Sequence, residues 1–435
     1  DDWIDLPEYE RWSVRPRFFW EGSEGTNLYL TVGAMGEDRK GGTLSGGLIP
    51  DGYPFQQNQD TDRLDGGFVL QHPINDHLSA QVRASAFRQQ HDHVFGDLLE
   101  EDRHQTILTE ASLSGDLPSA SWVGGVVYQS DEYDSDTFPI HDYKYESPAA
   151  FAHFDQDFGE RLTGALSVRW DDHSEYGGEL SPRMALLFRE GAWTIRGSWG
   201  SGFFASTPFL EETEAAGLSR LEPLANLKAE TAETTSFDVS YSAGNLETGL
   251  TFFGSNIDDA VRLETLTTDR VQMVNVNGVT RTRGIEALMR WRLDDLVVTS
   301  SYLYTDASEP NENDVGRRTV PLTPRHSAGL VAIWEVEEKG RIGFEVYYTG
   351  TQSLEDNPYR MESDPYFEVG LLGEIIRGRY SFFLNLENLL NVRQTRDDVL
   401  VRPNRSPDGR WTVDAWAPLE GFVANAGVRI RLGEF

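Results

Sequence analysis

The chain has no cysteine, so disulfide staples and thiolate metal sites are both excluded. It also lacks long apolar runs. No uncharged stretch exceeds about 14 residues, short of the roughly 20 that a membrane-crossing helix needs. Basic residues are scarce, 38 Lys and Arg against 71 Asp and Glu, for a net charge of -33. Nucleic acid is a poor partner for such a chain, because phosphates are met by Lys and Arg. No basic segment leading into an apolar one opens the sequence at Asp1-Asp2, so a secretion signal is not visible there. Mean hydropathy is low, -0.46. That value says little about a membrane barrel, whose strands each carry only one apolar face.

What is present is a rhythm of two. In the last segment Phe422, Ala424, Ala426, Val428, Ile430 and Leu432 share one face, while Asn425, Gly427, Arg429 and Arg431 share the other. From Tyr380 the same alternation runs through Phe382, Leu384 and Leu386, with Phe383 as the one exception. Period two places successive side chains on opposite faces of a sheet. Repeated along 435 residues with no helical pattern, it predicts an all-β chain: a large antiparallel transmembrane β-barrel, greasy outside and polar inside.

Loop lengths agree. About 19 strands and 18 connections are legible, with connections of mostly 3–5 residues at one end and much longer ones at the other. Arg39–Arg63, the acidic Gln90–Arg103, Asp131–Glu146 and Gly202–Lys228 belong to the long set. Outer-membrane barrels sort their loops in this way, with short periplasmic turns and long extracellular loops. Within the strands the charges Arg83, Arg169, Arg196, Glu286, Arg290, Arg292, Arg429 and Arg431 keep to the polar phase. Trp12, Trp20, Trp170, Trp193, Trp199, Trp291 and Trp334 keep to the apolar one, as an interfacial girdle requires.

Several runs resemble the barrel of a TonB-dependent outer-membrane receptor: VRPRFFW at 14–20, EDRKGGT at 37–43, SPRMALLF at 181–188 and GSGFFASTPFL at 200–210. NLKAET at 226–231, TRGIE at 282–286, PRHSA at 324–328, NLENLLN at 385–391 and the closing 427–432 continue the series in order. The resemblance implies a 22-stranded barrel around a globular plug, and active uptake of a scarce ligand, such as a ferric siderophore, driven by the TonB complex. It implies residence in the bacterial outer membrane as a monomer, among lipid and lipopolysaccharide, and no cofactor. Residues 1–435 then read as barrel domain alone, with the plug, the TonB box and the first strands expected elsewhere. A terminal aromatic would normally occupy the apolar phase where Leu432 stands, with Gly433-Glu434-Phe435 added beyond it. Gly202–Lys228 holds no histidine, which argues against haem as cargo. A passive porin-like channel and a soluble secreted glycan-binding β-protein are the alternative readings.

Candidate sites are few. No nucleophile elbow is present, so no catalytic residue is assigned and an enzyme is not expected. His91-Asp92-His93 looks like a metal-ligand cluster but reads as a solvated loop with no second cluster to complete it, so no metal site is assigned. The acidic runs Glu100-Glu101-Asp102, Asp131–Asp136 and Glu211–Glu214 read as solvated loop charge, or as a means of gathering divalent or cationic partners. Loops on a rigid scaffold commonly carry binding. Tyr53 and Phe55 in the first long loop, with Phe203, Phe204 and Phe209 in the middle one, are therefore the expected contacts for a metal-chelate ligand.

Overall fold

Alternation of apolar and polar residues becomes strand wherever a neighbour can complete the backbone hydrogen bonds. The computed structural model describes every residue except 1, 5, 6, 23, 312–315 and 433–435, together with the side chain of residue 212. The expected terminal extension Gly433-Glu434-Phe435 thus lies outside the described residues. Among the described residues twenty-three strands form, 21 of them in one sheet and two, Val261–Thr267 and Arg270–Asn275, in a separate hairpin. Every strand-to-strand ladder is antiparallel.

The wall has fewer staves than strands. Glu8–Val14 and Arg17–Glu21 both pair with Asn27–Gly42 and form one stave broken at Arg15-Pro16. Proline has no N–H to offer a ladder, and such breaks fall at sheet edges. Arg317–Thr319 adds only to the end of Leu296–Pro310, whose main partner is His326–Val336. Nineteen staves remain. Among the described residues no ladder joins the first stave to the last, Val423–Ile430, so the wall has two edges.

The lipid-facing phase is apolar as expected: Leu30, Val32, Leu64, Val82, Ile107, Val126, Leu166 and Ile430 all stand out from the wall. Six of the seven tryptophans assigned to that phase are strongly exposed, from Trp291 at 42% to Trp12 at 56%; Trp199 is half-buried. The odd Phe383 points inward instead and lies over cross-strand Gly427, where a Cβ would stand 2.5 Å from its ring.

The expected long loops need correcting. Arg39–Arg63 is strand to Gly42 and again from Gln56. Gln90–Arg103 is strand throughout except for a turn at Gly96-Asp97. Asp131–Glu146 is strand to Ser135 and again from Tyr143. The strands overshoot the bilayer, and their outward residues turn polar there. Leu30, Phe68, Ala84 and Thr109 form one outward row, whereas Asp38, Asp60, Asp92 and Glu101 form another, four registers higher. Polar residues on both faces erase the alternation that marks a strand, so these segments read as loop. Two short helices, Glu211–Ala216 and Gln394–Asp397, also contradict the helix-free expectation. Residues 246–265, whose apolar content suggests a single strand, divide into Leu246–Asp258 and the first arm of the separate hairpin.

Candidate ligand-binding site

Above the apolar belt, the inward phase of neighbouring strands builds horizontal rows. One row runs Thr61, His91, Asp102, Ser135; the next runs Gln59, His93, Glu100. Below them lie Arg63, Gln89, His104, Tyr133 and Tyr143, and then Asp65, Phe87, Thr106, Asp131 and Tyr145. His91-Asp92-His93 is therefore strand rather than solvated loop, with His91 and His93 turned inward and stacked 5.2 Å apart. Among the described residues no group of three His, Asp or Glu is arranged to hold a metal ion.

Gln59, Gln89, His91, His93, Glu100, Asp102, His104, Asp131, Tyr133, Tyr143 and Tyr145 of these rows line a cavity of about 800 Å³. A continuous aromatic wall runs along it. Phe209 packs edge-on to Tyr133 at 4.7 Å, Tyr133 stacks on Tyr143 at 5.8 Å, and Tyr143 stacks on Tyr145 at 4.6 Å. Carboxylates interleave with imidazoles: Nδ1 of His91 is 3.1 Å from Asp102, and His104 meets Asp131. No lysine or arginine stands among the described lining residues, whereas Glu100, Asp102, Asp131, Asp171 and Glu214 all do. Elsewhere in the mouth arginines do stand among the carboxylates. A smaller cavity of about 410 Å³ holds Arg318 paired to Glu309 and Glu355, and Arg410 paired to Asp408 and Asp414.

A connection between staves roofs the cavity. Its helix Glu211–Ala216 ends at Gly217, whose φ of +80° suits glycine and whose missing side chain lets Glu100 approach. The buried Glu100 carboxylate accepts the Leu218 N–H at 3.0 and 3.2 Å. Leu218 and Leu221 then bury against Tyr133, Val271 and Met273, tying the roof to the strand tips and the separate hairpin. Burial pushes Glu100 up to about 7 despite the N–H bonds that oppose it. Burial, aided by neighbouring His91, pushes His93 down to about 4. The Nε2 of His93 is buried without a hydrogen-bond partner. Burial also raises the Tyr133 and Tyr143 phenols, which stay neutral donors.

Residues 8–389 match the family described as "TonB dependent receptor-like, beta-barrel". The chain belongs to this family. It is an outer-membrane protein, and its family is one of transport receptors. No curated protein sequence matches it. Among solved structures it is similar to a variant of the ferric enterobactin receptor PfeA of Pseudomonas aeruginosa, with a TM-score of 0.76 and 14% identity over 97% of this chain and 69% of that one. The ferric-catecholate import receptor Fiu of E. coli K12 gives 0.73 and 12%, over 99% and 76%. The FrpB iron transporter of Neisseria meningitidis gives 0.73 and 12%, over 97% and 73%. Identities this low speak for the receptor fold alone.

The five aromatic residues expected as ligand contacts fall in two places. Phe203, Phe204 and Phe209 all line the large cavity. Phe55 is buried at 8% in a separate cluster with Ile49, Phe95 and Trp411, and Tyr53 is exposed at 70% beside it. The inward histidines, carboxylates and tyrosines of the strand tips were not singled out as a site. Continuing the two-beat count through 87, 89, 91 and 93, then back through 104, 102 and 100, places them all on one face.

Proposed function

We propose that the chain forms the wall and mouth of a receptor that captures a ferric siderophore and passes it inward at the expense of energy from the TonB complex. The observation that carries this reading is the built cavity on the inward face above the lipid belt, within a family of transport receptors. About 800 Å³ falls within the range typical of small-molecule sites. Phe203 and Phe204 act as ligand contacts from the end of a stave and Phe209 from the roof, and Tyr53 contributes at the rim. No covalent chemistry takes place. The protein works as a monomer among lipid and lipopolysaccharide, with a plug and further strands completing a barrel of 22 staves. The test is uptake of a radioactive ferric chelate by cells producing the full-length protein. Accumulation should saturate and stop when a protonophore collapses the inner-membrane gradient, while surface binding persists. Accumulation that rises linearly with concentration and ignores the protonophore would instead identify a passive channel.

A further inference from the structure

Charge around the large cavity is one-sided. Asp171 is matched by Arg169, whose guanidinium lies 2.6 Å away. Glu100, Asp102, Asp131 and Glu214 have no Lys or Arg partner among the described residues; Glu100 accepts the Leu218 N–H, Asp102 meets His91, and Asp131 meets His104 and accepts the Thr106 hydroxyl at 3.2 Å. Arg39 is engaged with Glu37, and Arg63 with Asp65, the face of Phe87 and the side-chain oxygen of the lining Gln89 at 3.4 Å; neither arginine is itself a lining residue. Histidines are thus the sole bases on the lining, and burial pushes two of them, His93 and His173, below the usual imidazole range. A concave site lined by one sign of charge concentrates the opposite sign and rejects its own.

The walls add a second preference. Tyr133, Tyr143, Tyr145 and Phe209 present a run of aromatic rings beside these carboxylates. Ring faces attract cations, most strongly where water is thin. Carboxylate and ring together make an ammonium seat.

We propose that this cavity selects a cationic cargo, a metal chelate whose organic scaffold carries a free ammonium group seated against Asp102, Asp131 and the Tyr133–Phe209 rings. The proposal rests on the receptor reading above and narrows its substrate class. A triply anionic tris-catecholate chelate would meet four unmatched carboxyl groups and no fixed cation, and is excluded.

Three ferric probes decide the matter, titrated at pH 8 and low salt against full-length protein in outer-membrane vesicles. They are a trihydroxamate with a pendant amine, the same chelate with that amine acetylated, and a tris-catecholate. The amine chelate should bind at least about tenfold tighter than its acetylated twin, the difference expected of a charge-assisted contact, and the tris-catecholate should not bind. Asp102→Asn and Asp131→Asn should each remove most of that difference and leave the acetylated chelate unaffected. Heat-modifiable migration on a gel verifies that both variants fold. Gln129→Lys, on the same lining, should weaken the amine chelate and admit the tris-catecholate. Equal affinity of the amine and acetylated forms, or tightest binding of the tris-catecholate, would overturn the proposal and leave the receptor reading standing. Binding of metal-free benzyltrimethylammonium with no chelate bound would keep the cation seat and remove the ferric cargo. Binding of neither cation would end the proposal.

Discussion

At the scale of residues, Glu100 shows how much a single pleat decides. Glu100-Glu101-Asp102 reads as one acidic run, yet alternate residues face opposite ways. Glu101 points outward, while Glu100 is buried against the Leu218 N–H and Asp102 lines the cavity. The charges were legible and their separation was not, because nothing local marks the stretch as strand. The consequence is a pH-dependent roof. Glu100 titrates near 7 when folded against 4.5 when free, so the folded roof binds the extra proton and loses stability as pH rises through that window. The shift corresponds to roughly 3 kcal/mol at most. His141, packed beneath Leu218 and Leu221, is pushed below 6.5 by burial and acts oppositely, costing stability as pH falls below 6.5. Below pH 6.5 the two effects oppose each other, so amide exchange over residues 211–221, after correction for intrinsic rates, should change little there and speed up as pH rises from 6.5 to about 7. Glu100→Gln keeps an oxygen for the Leu218 N–H and should flatten the loss above pH 6.5. An unchanged profile in that variant would show that Glu100 does not set it.

At the scale of elements, the strands inside the bilayer were readable and their extensions were not. Lipid demands an apolar outward face, so the two-beat pattern there carries strong contrast, as in Ile195 beside Arg196 or Ile430 beside Arg429. Above the bilayer water lies on both sides and the contrast vanishes, which is why strand at Gln90–Phe95 and Leu98–Arg103 passed for loop. The separate hairpin hid differently: with no break in apolar content at Asp259-Ala260, its first arm fused with the stave before it. The pleat makes a sharp prediction for the stave Trp193–Phe204. Ile195 pairs with Val239 and Phe188 on the outward face, whereas the Ser198 hydroxyl meets that of Ser236 at 2.9 Å on the inward one. Ile195→Arg, two residues inside the girdle Trp193, should impair folding into bilayers measurably, though by less than the about 2–4 kcal/mol of an arginine at the midplane. Ser198→Arg should fold nearly as the parent does. Equal losses for the two in an assay of folding into lipid vesicles would contradict the assigned faces.

At the scale of the whole molecule, the direction of the two edge staves matters most. The first stave ends at a short turn and the last begins after the long connection from Glu387 to Val423, so both run from the extracellular end inward. Their direct union would be parallel in a wall whose every other ladder is antiparallel. An odd number of intervening strands removes the conflict, and three would complete 22. Left bare in hydrocarbon, each unpaired backbone group costs several kcal/mol, so cover of both edges by something other than each other is the expected outcome. Cysteine pairs test this. Phe382 and Val428 face each other across an existing ladder, and a disulfide between cysteines placed there should form readily under mild oxidation in the full-length protein. Cysteines at Phe18 or Trp20, combined in turn with one at Ala426, Val428 or Ile430, sample the registers that direct closure would allow. None of these combinations should cross-link, since an interposed strand separates them by more than the roughly 7 Å that a disulfide spans. A strong cross-link in any one register would mean that the two edges meet, and the parallel seam would have to be accepted.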